Sequence, residues 1–197
     1  MFSIAVRYSL DQCRRNRCYE NKKSGLAALF TFTHSANVSY YCVFLAKHLG
    51  ISEREDLDAI ASGALVHDLG KLDVPDAILT KPARLSDSEF EIIKRHPLDG
   101  FLQLKDRQDV NFGQLMMVYQ HHEWMNGKGY PVGVTGKEIH PWGRLCAVVD
   151  VFEALTSSRP YRGPMATSRA LQIMERESGD HFDEEMFQCW KTIITIS

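Results

Sequence analysis

A histidine and an aspartate stand side by side at His67-Asp68, closing an apolar stretch and followed at once by Leu69-Gly70-Lys71. A neutral imidazole and an ionised carboxylate are both ligands for a divalent metal. A carboxylate also has a second oxygen with which to bridge two ions, and a nearby ammonium suits a phosphate. Alone, such a pair is no more than a solvated helix end, so its partners decide what it does. Four further histidines and one further carboxylate have the right character: His34, His96, the consecutive His121-His122, and Asp150. Together these seven suit two ions, with Asp68 as bridge and water or hydroxide shared between them. Chemistry of that kind is hydrolytic. Two ions lower the pKa of bound water, hold phosphate oxygens and spread the charge of an in-line displacement at phosphorus, so no serine or cysteine nucleophile is needed. Lys71, Arg159 and Arg162 add fixed positive charge for the same anion.

Helices must carry these groups inward. Leu57, Ile60, Ala61, Ala64 and Leu65 repeat with helical spacing, so His67 and Asp68 are expected to close the last turn of a half-buried helix. Ser52 and Glu55 would start it as a capping box, and Gly70 would be its left-handed stop. Before it, residues 26–49 read as a helix in which His34 shares the face of Val38, Tyr41, Cys42, Leu45 and Leu49. After it, residues 73–76 turn into a short helix and Lys81-Pro82 is a loop. Ser86 and Glu89 form a second capping box, opening a helix that stops at His96-Pro97. Residues 98–104 form another short helix, and residues 114–123 a further one that delivers the double histidine. Helix neighbours diverge by about 100°, so both rings reach one centre only near a helix end or if one ring folds back. The loop Asn126-Gly127-Lys128-Gly129-Tyr130-Pro131-Val132-Gly133 is a shaped excursion. Pro141 opens a helix through Leu145, Val148, Val149, Phe152 and Leu155, in which Asp150 sits among apolar neighbours and needs a cation. Helices over 167–177 and 183–193, the latter capped by Asp183, complete the chain, with an extended ending over 192–196 as the alternative. No repeat or alternating strand pattern occurs. The expected fold is all-α, a helical bundle with a bimetal centre in its core.

A chain of 197 residues fits one domain with a core of its own. With 24% charged residues and a formal net charge of -2, nothing marks DNA, RNA or a membrane as a partner. Residues 1–25 are the exception. Six cationic side chains there face only Asp11 and Glu20, which reads as a solvated basic lead-in or linker remnant, with the domain proper over 26–197. Five cysteines without paired spacing are free thiols in a reducing compartment, and no stretch approaches the ~18 apolar residues of a membrane span; the expected location is the cytoplasm. His48, His140 and His181 take surface or capping places. Trp124, Trp142 and Trp190 read as core or pocket wall, with Trp124 close enough to the double histidine to stack a base.

The order His34, His67-Asp68-Leu69-Gly70-Lys71, His96, His121-His122-Glu123, Gly129-Tyr130-Pro131 and Asp150-Val151-Phe152-Glu153-Ala154-Leu155-Thr156-Ser157 closely resembles the HD-GYP subgroup of the HD metal-dependent phosphohydrolases. The resemblance implies an all-helical phosphodiesterase that opens cyclic di-GMP to pGpG, sometimes on to GMP, using two or three ions, usually iron or manganese. It implies that His34, His67, Asp68 and Asp150 hold the first metal and Asp68, His96, His121 and His122 the second. Asp68 and Lys71 would be catalytic, and Lys71, Tyr130, Arg159 and Arg162 would contact substrate. Three positions depart from the pattern. Phe30 stands where trinuclear members carry glutamate, so two divalent ions, iron or manganese, are expected. Asn126 replaces the usual aspartate of the loop. Glu153 replaces the commoner aspartate and is expected to support the site rather than bind the ions. Cyclic GMP-AMP fits the same chemistry. So does a low-activity or non-catalytic module that binds the dinucleotide and engages a GGDEF-type partner through the Gly-Tyr-Pro loop. A general nucleotide phosphohydrolase would not need that loop. A dimer is compatible with the family, and the oligomeric state stays open.

Overall fold

The computed structural model describes residues 22–158 and 163–196, with side chains of the first helix described from Phe32 onward. Nine α-helices and no strand occur among these residues, as the all-α expectation required. They are α1 (Lys22–His48), α2 (Arg54–Leu65), α3 (Asp76–Leu79), α4 (Asp87–Ile93), α5 (His96–Leu104), α6 (Phe112–Gln120), α7 (Pro141–Thr156), α8 (Thr167–Glu175) and α9 (Glu184–Ile196). Most of the basic lead-in, with Cys13 and Cys18, lies outside the described residues. No described helix is long and apolar enough to cross a membrane.

The core forms where α1, α2, α6 and α7 pack on one another, with α8 and α9 closing one side. Val38, Cys42 and Leu45 of α1 meet Ile60 and Ala64 of α2, Met117 of α6, Leu145, Val148, Val149 and Phe152 of α7, and Phe187 and Trp190 of α9. Burying a side chain of the Leu or Phe class contributes about 1.5–3 kcal/mol, so this cluster holds α1, α2, α6 and α7 in register. Cys42 and Cys146 are buried free thiols, and Cys189 is a half-buried one.

Several local expectations need correction. Ser52 and Glu55 form no capping box: Glu53 is the N-cap of α2 and makes no side-chain cap bond. α2 also ends at Leu65, so His67 and Asp68 lie in the turn after it, leading into a 3-10 helix over Leu69–Asp73. Gly70 is therefore not a left-handed stop. It sits inside that 3-10 helix, where a Cβ would lie 2.0 Å from the His96 carbonyl oxygen and 2.6 Å from the Gly100 amide nitrogen. The residue is glycine because two backbones touch there.

His96 opens α5, with Pro97 in its first turn, rather than ending the helix before it. α6 begins at Phe112, two residues before the expected start, because Asn111 and Gln114 make a capping box; it ends at Gln120. The Ser86–Glu89 box is formed, as is the Pro141 start of α7. Asp183 accepts from the Met186 amide at 3.1 Å, and its other oxygen accepts from Arg144 at 2.6 Å. Residues 192–196 are helical, not extended.

Candidate metal centre

Five separate segments bring the seven singled-out side chains to one place. His34 comes from α1, His67 and Asp68 from the turn after α2, and His96 from the first position of α5. His121 and His122 come from the end of α6, and Asp150 from the middle of α7. Their ligand atoms form two groups: His34, His67 and Asp150, and Asp68, His96, His121 and His122. Within each group the atoms lie within 4.8 Å of one another. All are buried except His122, which is half-buried.

Asp68 faces both groups. Its Oδ2 lies 3.4 Å from His67 Nε2 and 3.7 Å from His34 Nε2, while its Oδ1 lies 3.2 Å from His96 Nε2 and 3.7 Å from His121 Nε2. Asp150 Oδ1 is 3.0 Å from His34 Nε2 and 3.8 Å from His67 Nε2. The double histidine reaches a common place because the helix ends beneath it, the condition that its adjacency imposed.

The outward nitrogens set the orientation of the rings. His67 Nδ1 donates to the Ala64 carbonyl at 2.7 Å, His96 Nδ1 to that of Ile93 at 2.8 Å, and His121 Nδ1 to that of Val118 at 2.9 Å. With Nδ1–H engaged by backbone, Nε2 of each ring points inward and is the nitrogen left for a metal. His96 Nε2 and His121 Nε2 stand only 3.1 Å apart, two lone pairs that a shared cation reconciles. His67 Nε2 and Asp68 Oδ1 are buried with no hydrogen-bond partner. Orphaned polar atoms of this kind are costly unless an ion satisfies them, so the residues present fit two divalent cations.

The charges divide the site. Burial pulls the His34 ring down, but hydrogen bonds and charge from Asp150 and Glu153 outweigh it and hold the ring at about 9. Burial likewise opposes the charge of Asp68 at His67, which also ends at about 9. In the other group, burial together with neighbouring histidines lowers His121 to about 4 and puts His122 well below its ordinary value. Burial would raise both carboxyls, yet Lys71 and the facing histidines keep Asp68, and His34, His67 and His122 keep Asp150, well below the usual range. Both carboxylates are ionised at neutral pH.

Around the opening, Lys71 Nζ lies 2.6 Å from Asp68 Oδ2. Tyr130 stacks on His122, ring centres 4.7 Å apart, and its peptide nitrogen donates to the His122 carbonyl at 3.0 Å. Phe90 of α4 meets the outer side of Tyr130 at 6.5 Å. Arg159 and Arg162 lie outside the described residues, as does the side chain of Phe30. Trp124 stacks on His181 instead of standing free, with ring centres 4.4 Å apart, and His181 in turn stacks on Phe182. His181 is thus part of the packing rather than a surface histidine. His140 caps α7, accepting from the Trp142 amide, and His48 bonds the Phe44 carbonyl at the exposed end of α1.

The buried carboxylate of Glu123 accepts from the peptide nitrogens of Val132 at 2.7 Å and Gly133 at 2.9 Å, clamping the Gly-Tyr-Pro loop. Gly129 makes the fold of that loop possible, since a Cβ there would lie 2.3 Å from the Trp124 nitrogen. The part played by Glu123 was not anticipated. Its position beside the double histidine and ahead of a glycine-rich loop was the available signal.

A helical bundle that assembles a buried His-Asp pair with further histidines and an aspartate into two ligand groups defines a class. Residues 13–186 match the family model described as HD domain, and the chain belongs to that family. The Gly-Tyr-Pro loop beside the double histidine agrees with the HD-GYP resemblance drawn from the motifs. The chain is 41% identical over 162 residues to the 3'3'-cGAMP-specific phosphodiesterase 1 of Vibrio cholerae, covering 80% of this chain and 36% of that protein. It is 36% identical over 167 residues to a cyclic di-GMP phosphodiesterase of Pseudomonas aeruginosa, covering 85% of this chain and 40% of that one. The chain therefore spans about two fifths of the length of these curated relatives. Among solved structures, a HDG"Y"P protein from Bdellovibrio bacteriovorus superimposes with a TM-score of 0.70 at 22% identity, over 97% of this chain and 61% of that one. That likeness shows the fold.

Proposed function

We propose that this chain is a metal-dependent cyclic dinucleotide phosphodiesterase that opens cyclic di-GMP to pGpG. The observation that carries the reading is the division of one carboxylate between two ligand groups: Asp68 turns Oδ2 toward His34 and His67 and Oδ1 toward His96 and His121. Relatives named for cyclic di-GMP and for cGAMP support the substrate class. The histidine-carboxylate donor set suits iron(II) or manganese(II).

Bound ions of this kind supply a water of lowered pKa and charge stabilisation for displacement at phosphorus. The chain's own residues do the rest. Asp68 and Asp150 are ionised at neutral pH and so are ready to meet entering cations. Lys71, at the edge of the site, is free to turn from Asp68 to a phosphate oxygen once the carboxylate is engaged. Burial and the charges of Asp150 and Asp68 push the Tyr130 phenol far up, so it stays protonated and donates a hydrogen bond to an anionic substrate. Arg159 and Arg162 follow α7 and are assigned to the same phosphate. Hydrolysis opens one phosphodiester, leaving the phosphate on one sugar and a hydroxyl on the other.

The 41% identity to a relative named as cGAMP-specific favours 3'3'-cGAMP as the second reading. The test is anaerobic loading of purified protein with iron(II) or manganese(II), followed by turnover of each dinucleotide with cyclic, linear and mononucleotide species separated over time. Formation of pGpG supports the first reading, and linear product from cGAMP alone supports the second. Two bound ions without turnover of either reassigns the chain to a binding module.

A further inference from the structure

Of the four histidines whose outer nitrogen has a described acceptor, three use backbone and one does not. His67, His96 and His121 each donate Nδ1–H to the carbonyl three residues earlier, that of Ala64, Ile93 or Val118. Each of those carbonyls lies in the last turn of a helix, α2, α4 or α6, where up to four carbonyls lack an intrahelical partner. His34 lies in the interior of α1, where the ladder of the helix already engages the carbonyls of the preceding turn. Its Nδ1 bonds instead to Glu153 Oε2, a carboxylate 119 residues away.

Glu153 is itself held. Its Oε1 accepts from Asn37 Nδ2 at 2.9 Å and from Ser157 Oγ at 2.5 Å. Asn37 stands three residues after His34 on α1, and Glu153 three residues after Asp150 on α7, so both face the site. Glu153 is 1% exposed. A hydrogen bond to an ionised acceptor is roughly twice as strong as one to a neutral carbonyl, and it makes the opposite nitrogen a better donor to a metal.

We propose that Glu153, held by Asn37 and Ser157, is a positioning residue that turns His34 Nε2 into the centre and strengthens it as a ligand. The ion of the His34–His67–Asp150 group thereby depends on this carboxylate, while that of the Asp68–His96–His121–His122 group does not. The inference rests on the two-metal reading above.

Manganese(II) titration of metal-stripped protein tests it, with bound ions counted and their dissociation constants resolved. Wild-type protein takes two ions. In Glu153→Gln, isosteric but uncharged, one ion binds as in wild type and the other roughly 10–100-fold more weakly. Asn37→Ala and Ser157→Ala shift the same ion in the same direction by less, and they carry the test if the Glu153 variant loses its helical signal. Two ions at wild-type affinity in Glu153→Gln, or equal weakening of both, overturns the assignment of Glu153 alone. A wild-type protein that binds no ion overturns the two-metal reading and this inference with it.

Discussion

Substituting Gly70 by alanine separates the close approach of two backbones from every chemical role in the site, because neither residue type touches a ligand atom. The added Cβ would sit 2.0 Å from the His96 carbonyl oxygen and 2.6 Å from the Gly100 nitrogen, both backbone atoms of α5. A carbon–oxygen contact needs roughly 3.3 Å, so the 3-10 helix and α5 must part by about 1.3 Å. Overpacking of this severity costs about 3 kcal/mol, which lowers the Tm of a domain this size by roughly 6–12 °C. The displaced element is the one that begins at His96. A ligand misplaced by about 1 Å costs on the order of 100-fold in rate. The assay is a thermal melt of Gly70→Ala beside a manganese titration and turnover of cyclic di-GMP. The variant should retain the ion of the His34 group and lose that of the His96 group. A Tm within about 2 °C of wild type, with two ions bound at full affinity, would refute the contact as the reason for the glycine.

Asp68→Ala removes the one side chain facing both groups, so metal loading and turnover should vanish together; normal metal content with normal activity would refute the two-ion centre. Metal-stripped protein should release protons on loading. His34 and His67 are held at about 9, so both rings are charged at pH 7 and an entering ion must displace both protons, whereas His121 at about 4 has none to lose. Affinity of the His34 group should therefore rise by roughly 100-fold per pH unit between 7 and 8 and flatten above 9. Calorimetry in buffers of different ionisation enthalpy checks this, and zero protons released at pH 7 would contradict it. Glu123→Ala removes the acceptor that binds Val132 and Gly133, so residues 126–134 should become sensitive to limited proteolysis and KM should rise about 10-fold. Metal content should stay at two, and a loop as resistant as that of wild type would rule out the clamp.

The seven side chains that converge were legible because metal chemistry restricts residue type: histidines and aspartates at helix-compatible positions have few other reasons to fall on inward faces. The bounds of the helices were less so, because capping signals compete locally. Ser52 with Glu55 and Asn111 with Gln114 look alike in sequence, yet only the second pair forms a box. Gly70 shows a different limit. A glycine just past an apolar helical run reads as a left-handed cap, and the true reason for it, the carbonyl of His96, lies 26 residues further along and appears only once α5 has packed. Glu153 was placed as a supporting residue from its departure from the family pattern, but its partners His34 and Asn37 belong to another helix more than a hundred residues away. Long-range hydrogen bonds leave no periodic trace.

The use of helix ends explains why so many of the candidate ligands come from turns. A histidine just beyond a helix finds an acceptor already aimed at it, since the final carbonyls of the helix have no amide ahead of them. His67, His96 and His121 exploit this at α2, α4 and α6, and bonding there fixes tautomer and ring direction without recruiting another side chain. The same carbonyls form the negative end of each helix dipole, which favours cations at the place where the rings converge. Orientation built from backbone cannot be removed by a point substitution of the acceptor, so these three rings yield only to changes that move whole helices, as at Gly70. His34, inside a helix, lacks this device and relies on Glu153. Among the rings with a described acceptor, His34 is thus held by a different means from His67, His96 and His121, and its orientation can be weakened by substituting the acceptor side chain itself.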